Sequence, residues 1–316
     1  MASAAAPSRA NRRHWLIIGL YVLALYVVIP QIGSFRSSWE QLSHLQIVWA
    51  IMAIGLTCYS YLAAAGTYYY LAFKPLKYAQ LVLIEVAAMF INRLLPAGIG
   101  ALSTNYSYLR RRGHSQAQSA TMIAANNLIG IMGHLLVIVI ALVSAAGQIK
   151  FHHFWQSWSL EHLTIVAILL SAGLGLVWWK FGRHRLRQAV LSLRQPLITY
   201  RKHPLKLLGA LLTSISLTVG NVLCLAACAY ALSVHLPFVA VLLIFSLGVG
   251  AGTVTPTPGG LGGFEAGLFA GFVAYGVASP TALALALLYR LISYWLPLVL
   301  GALAFLVAQR QKLFSA

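Results

Sequence analysis

The sequence predicts an all-α polytopic membrane protein made of two inverted repeats, with six full spans and two helical hairpins broken by Pro and Gly. Three observations lead to that class. Of the 316 residues 60% are hydrophobic and only 8% charged, and the mean hydropathy is +0.81. The basic residues gather in short groups between long apolar runs. Two of the apolar runs, 79–112 and 238–277, are interrupted near their middles by Pro and Gly.

Runs of about 18 or more apolar residues are long enough to cross a bilayer as helices. Six segments satisfy this: 15–32, 47–73, 116–147, 162–181, 205–232 and 279–308. The first follows a basic N-terminus but is long for a signal peptide and lacks a small-x-small cleavage site, so it reads as an uncleaved span. The two broken segments carry Leu95-Pro96-Ala97-Gly98-Ile99-Gly100 and Pro256 to Gly263 at their centres. Irregular backbone at membrane depth is tolerated only where protein or a water-filled cavity surrounds it, because unpaired backbone groups are costly in lipid. Both breaks therefore mark places where something polar is accommodated.

Eighteen of the 22 Lys and Arg fall in five groups: Arg9 to Arg13, Lys74 to Lys77, Arg110 to Arg112, Lys180 to Lys206, and Arg310 to Lys312. Such groups mark cytoplasmic loops. With the N-terminus inside, all five fall inside only if 79–112 enters and returns to the same side. Charge parity leaves open whether each broken segment is a re-entrant hairpin or two full spans. The polar stretch Ser103 to Tyr108 favours re-entrant arms meeting near mid-bilayer. Residues 15–147 then form one repeat, 162–308 repeat the same order upside down, and the chain is a single integral membrane domain. Paired Gly/Pro interruptions at matching places in two halves are the best sequence pointer to a transporter's binding site. The segment 182–203, with Arg183, Arg185, Arg187, Arg194 and Arg201 between apolar residues at helical spacing, reads as a surface helix or a topology anchor.

The net charge of +18 does not indicate nucleic acid, because the basic residues border spans rather than cover a soluble face. Cys58, Cys224 and Cys228 lie in apolar segments and form neither a disulfide framework nor a metal-ligand cluster. With no Asp and only four Glu, and no nucleophile spaced with a base, hydrolytic chemistry has few candidates. No Walker loop is present, and no cofactor or metal is implied.

Glu85, Arg93, Glu265 and Arg290 are the charges within the membrane. Isolated charges there are expensive, so pairing is expected, and each is a functional-site candidate. Glu265 and Arg290 lie on consecutive helices at mid-depth, with Tyr294 one turn beyond Arg290. A guanidinium fork matches phosphate geometry, so Arg290 suits an anionic headgroup. The first half offers Asn92 and Arg93 before Pro96, then Asn126, Asn127 and His134 on the following span; His134 reads as an interhelical hydrogen-bonder. Gly259, Gly260, Gly262 and Gly263, after Pro258, open the second arm of their hairpin, and Gly98 and Gly100 do the same in the first. A helix starting at mid-bilayer presents unpaired N–H groups that suit an anion.

The motifs Pro-Thr-Pro-Gly-Gly-Leu-Gly-Gly-Phe-Glu-Ala (256–266), Leu-Tyr-Arg-Leu-Ile-Ser-Tyr-Trp-Leu-Pro (288–297) and Asn-Arg-Leu-Leu-Pro-Ala-Gly-Ile-Gly (92–100) together resemble the membrane domain of the lysylphosphatidylglycerol synthase/flippase family. The resemblance implies a bacterial or archaeal cytoplasmic-membrane protein that moves or binds phospholipid or polyprenyl-linked headgroups, with Glu265 and Arg290 on the family's motif charges. The full synthases of that family add a soluble aminoacyl-transfer domain. This chain reads as a stand-alone member, so synthase activity is not carried over. The leading expectation is a non-enzymatic lipid flippase. An intramembrane lipid-modifying enzyme or its accessory subunit, and a small-anion secondary transporter, are the alternatives. A second copy of the chain and a lipid-modifying enzyme both stay open as partners.

The topology is directly testable. In a Cys-less background, single cysteines at Ser37 and Ser157 are expected to label from outside, and one at Ser192 only after permeabilisation. Outside labelling at Ser192 contradicts the inverted arrangement.

Overall fold

The computed structural model describes residues 45–94, 99–144, 198, 200–255 and 257–314. The expected spans at 15–32 and 162–181 lie outside those residues, as do most of the 182–203 segment, Gly98, and the prolines Pro96 and Pro256. Everything regular in the described residues is helical: α1 (Ile47–Leu71), α2 (Tyr78–Leu94), α3 (Ile99–Arg111), α4 (Gln116–Ser144), α5 (Pro204–Ala231), α6 (Phe238–Val254), a 3-10 turn (Pro258–Gly260), α7 (Gly263–Ala274), α8 (Ser279–Arg290), a π turn (Leu291–Trp295) and α9 (Leu296–Arg310). By length and composition α1, α4, α5 and the continuous stretch Ser279–Arg310 are each sufficient to cross a membrane.

Hydrogen bonds fix the two ends of the bundle. At one end, Lys206 Nζ donates to Ala72 O at 2.6 Å and Tyr200 Oη to Leu71 O at 2.6 Å. There too Lys74 Nζ donates to Gly113 O at 2.5 Å and Arg111 Nη1 to Lys312 O at 2.7 Å. Residues from four of the basic groups seen in sequence therefore converge on one end. At the other end, Gln46 N donates to Ala231 O at 2.9 Å, Gln46 Nε2 lies 3.0 Å from Ser233 Oγ, and Trp49 stacks on Tyr230.

Against these ends the two broken segments open in opposite directions. The Lys74–Gly113 bond places the start of α2 and the end of α3 together at the basic end. α5 has 28 residues, about 42 Å of helix, and carries the chain from the basic end to the other, where α6 begins. Ser279–Arg310, 32 residues or about 48 Å, follows α7 after a four-residue connection and returns to the basic end. Both ends of the α6–α7 hairpin thus lie away from the basic end. The arms are short: α3 has 13 residues and α7 has 12, about 20 Å each.

Small residues set the helix spacing. Gly267 faces the Leu247–Gly248 backbone so closely that any side chain would push α6 and α7 apart. Between α1 and α5, Thr67 and Thr213 share a hydrogen bond at 3.2 Å, and Ser60 Oγ donates to Asn221 Oδ1 at 3.1 Å. Hydroxyls bridging closely packed helices are a membrane-interior pattern, since apolar burial alone does not drive association there. The main core lies where α5, α6, α7 and α8 meet, around Leu225, Leu242, Leu268, Phe272 and Leu285. His134 of α4 makes the interhelical bond expected of it, 3.2 Å from Ser246 Oγ of α6.

The expected span 279–308 departs from regular geometry at one place. Pro297 has no N–H to donate to the carbonyl four residues before it, which is that of Ser293. The chain accommodates this with the π turn, in which the Leu296 N–H reaches back to Leu291 O.

His114, in the turn between α3 and α4, is almost fully buried at the basic end. Its Nδ1 lies 3.2 Å from Leu109 O, and its Nε2 accepts from the Lys74 N–H at 3.3 Å, an arrangement that requires neutral imidazole. Burial, and secondarily the Lys74 charge, hold its pKa below the ordinary 6.5. The unfolded chain therefore binds the proton first, and stability is lost as pH falls below about 6.5. Thermal melts of purified protein should show wild type losing more stability than His114→Gln between neutral pH and about pH 5.

Candidate functional site

The site is assembled from both breaks and the π turn. After α6 the chain makes a 3-10 turn in which Gly259, at φ 62°, adopts a conformation that L side chains rarely take. A Cβ at Gly259 has no room beside the Tyr294 ring. Pro258 starts this turn, Gly260 lies buried within it, and Gly262 and Gly263 lead into α7 as the sequence suggests. Glu265 stands on the first turn of α7. Its Oε2 accepts the Gly262 N–H at 2.8 Å, closing the helix start in the manner of a capping box. This N-terminus was expected to leave donors for an anionic ligand; one of them is already taken by the chain's own carboxylate.

Arg290, the last residue of α8, donates through Nε to Glu265 Oε1 at 2.6 Å and through Nη2 to Gly259 O at 3.0 Å. This is the one ion pair among the described residues. The guanidinium lies over two rings, with Cζ 4.9 Å from the Phe264 centroid and 4.4 Å from that of Tyr294.

Arg93, at the end of α2, approaches the same tyrosine, with Cζ 4.7 Å from its centroid. Tyr294 thus makes a cation–π contact with both arginines. Arg93 Nη2 donates to Ser293 O at 2.6 Å and to Tyr61 Oη at 3.4 Å. The Ser293 carbonyl is free to accept because Pro297 cannot use it. Arg93 Nη1 and Asn92 Oδ1 are buried and have no hydrogen-bond partner among the described residues. The expectation that the four membrane charges pair is met by Glu265 and Arg290 only. Arg93 contacts a carbonyl and a phenol, and Glu85 stands apart from it.

Between these groups lies a cavity of about 730 Å³, within the range of about 300–1,000 Å³ typical of small-ligand sites. Asn92, Arg93, Gly259, Gly260, Arg290 and Tyr294 line it, together with Phe264, Tyr289, Asn221 and Ser293. Two arginines against one carboxylate leave one net positive charge (2 − 1 = 1) at its wall. The hydroxyls of Thr253, Thr255 and Thr257 each donate to a carbonyl four residues away in their own chain.

Other sequence candidates fall elsewhere. Asn126 lines a second, smaller cavity of about 260 Å³, which shares Met89, Asn221 and Ser293 with the first. Asn127 is exposed and lines neither cavity; one helical residue, about 100°, separates it from Asn126. Gly100 is buried against the Ile91–Asn92 backbone, where it brings α3 close to α2. Tyr61, Ser293 and Asn221 were not anticipated. Pro297 was the signal for Ser293, since a proline in a span exposes the carbonyl one turn earlier.

Fold and site together define a polytopic helical membrane protein with a cationic cavity where two broken hairpins meet. Residues 16–301 match the family described as the lysylphosphatidylglycerol synthase TM region, and the chain belongs to that family. It is also similar to the inner membrane protein YbhN of Escherichia coli (strain K12), with 23% identity over 304 residues covering 94% of this chain and 91% of that one.

Removing one partner of a buried ion pair strands a charge in a low-dielectric site, at a cost of about 3–5 kcal/mol. Glu265→Gln and Arg290→Gln should each lower yield and melting temperature sharply, and the double variant should recover part of the loss. Strict additivity in that double-mutant cycle contradicts a direct energetic link.

Proposed function

We propose that the protein is a lipid translocator of the bacterial cytoplasmic membrane, which passes an anionic phospholipid or polyprenyl-linked headgroup through the cavity between its two broken hairpins. The observation that carries this reading is Arg93: a buried cation at the cavity wall with, among the described residues, an unpartnered Nη1 and no carboxylate paired with it. A phosphate oxygen is the natural acceptor for such a donor. The cavity wall reaches the exposed residue Thr253, and the flanking Leu94 and Val254 are 57% and 82% exposed. A headgroup therefore fits within while its acyl chains run along apolar surface in the bilayer.

On this reading the hairpins are re-entrant and equivalent by an inverted repeat, each entering from its own side. The brevity of α3 and α7, their opposite openings, and the packing of the 3-10 turn against α2 all support it. A non-enzymatic role fits the cavity's hydroxyls. Those of Thr253, Thr255 and Thr257 bond back to their own backbone, and no His or carboxylate lines the cavity with them among the described residues.

Arg290→Lys keeps the charge but loses the two-pronged grip on Glu265 and Gly259. In proteoliposomes of phosphatidylethanolamine and phosphatidylglycerol, translocation of fluorescent phosphatidylglycerol should fall about tenfold or more, with protein yield near wild type. Arg93→Lys should reduce the rate by at least as large a factor, because the free guanidinium nitrogen is the donor offered to the phosphate. Wild-type rates for both variants would assign the arginines to structure alone.

A further inference from the structure

The second cavity contains a group that the headgroup reading does not use. Glu85, on α2, is 8% exposed and lines that cavity. Its Oε1 is buried and has no hydrogen-bond partner among the described residues, and no Lys, Arg or His pairs with it. The Asn105 side chain of α3 lies within hydrogen-bonding reach of it. The titratable groups that face it are Tyr68 and Tyr61 of α1. α4 presents Asn126 and α5 presents Ser214 and Asn221, while α9 has no ionisable side chain before Arg310. Arg93 lies eight residues further along α2, about 12 Å of helix away.

A carboxylate without a counter-ion in such a place is strongly disfavoured, and binding a proton is the simplest way to neutralise it. Asn105 suits both states of the group. Its amide N–H₂ can donate to the carboxylate, and its carbonyl can accept from the carboxylic acid O–H. No group of three or more His, Cys, Asp or Glu side chains able to hold a metal ion occurs among the described residues, and a proton needs no such group. The cavity is also lined by Thr57, Ser60 and Thr67, hydroxyls able to hold bridging water. It adjoins the cationic cavity through Met89, Asn221 and Ser293, and the Ser293 carbonyl binds Arg93.

We propose that Glu85 is a proton-binding site that couples proton movement to headgroup passage at Arg93. The coupling rests on the translocator reading; proton binding at Glu85 does not. Proton uptake at Glu85 removes a negative charge from α2 and switches the bond to Asn105, which lies on the other arm of the same hairpin. Both arms of the first break therefore sense the proton, and Arg93 stands at the end of one of them.

Two measurements separate the proposal from the reading beneath it. Infrared difference spectra of the purified protein, recorded across a pH titration, should show a carboxylic-acid C=O band that is absent in Glu85→Gln and retained, shifted, in Glu85→Asp. In the phosphatidylethanolamine and phosphatidylglycerol proteoliposomes, an imposed gradient of one pH unit should alter the distribution of fluorescent phosphatidylglycerol by up to about tenfold for one proton per lipid. Glu85→Gln, which mimics the protonated acid, should translocate without responding to the gradient. No Glu85-dependent band overturns the proton site, whether or not lipid moves. Translocation that ignores a pH gradient, or that follows a sodium gradient at fixed pH, overturns the coupling and leaves the translocator intact. A Glu85-dependent band with no movement of lipid in wild type upholds the proton site and overturns the translocator reading and, with it, the coupling.

Discussion

The Arg290–Glu265 pair is the constraint from which the cavity takes its shape. Glu265 uses one oxygen to close the start of α7 and the other to hold Arg290, while Arg290 reaches on to the Gly259 carbonyl. The end of α8 is thereby fastened to the segment between α6 and α7, whose regular structure is a single 3-10 turn. A buried pair of this kind is weak support for stability in itself, because desolvation opposes the Coulombic gain. Its value here is positional. It places Tyr294 and Phe264 against the guanidinium and fixes one wall of the cavity.

Fastening Arg290 in this way divides the work between the two arginines. Arg290 is neutralised by Glu265 and engaged by three groups of the chain. Arg93 has a carbonyl and a phenolic oxygen but no carboxylate among the described residues. The net charge of the cavity therefore resides on the first hairpin, although the ion-paired motif belongs to the second. Pro297 makes this possible at a distance. By withholding one N–H it frees the Ser293 carbonyl, and that carbonyl anchors Arg93 from a helix 200 residues away in sequence.

Much of this was legible in the sequence because lipid makes certain residues conspicuous. Apolar length marked α1, α4, α5 and the last span, and the Pro and Gly runs marked both breaks. Glu265 and Arg290 stood out because a lone charge is expensive at that depth, and the same cost argued that they meet. What the sequence could not carry was azimuth and partner choice. Asn126 and Asn127 are adjacent and chemically identical, yet only the first lines a cavity, because packing against α5 decides which face of α4 turns inward. The same limit hid the separation of Glu85 from Arg93. Cost arguments predict that charges find partners but not that a carbonyl exposed by a proline can serve in place of a carboxylate.

The wall of the cationic cavity also bears on how a ligand can be selected. Its threonine hydroxyls donate their protons to their own backbone, and the rings of Tyr294 and Phe264 face the guanidinium of Arg290. Among the buried atoms of that wall, the Nη1 of Arg93 and the Oδ1 of Asn92 are the ones left without a hydrogen-bond partner among the described residues. A site that rejects close analogues does so by leaving buried donors or acceptors unpaired when the wrong molecule enters. The buried demand is one cationic donor and one amide oxygen, so charge is the strongest feature the wall offers for discrimination. A translocator built on this wall should accept several anionic headgroups and be indifferent to much of their stereochemistry, because the feature it reads is the phosphate they share.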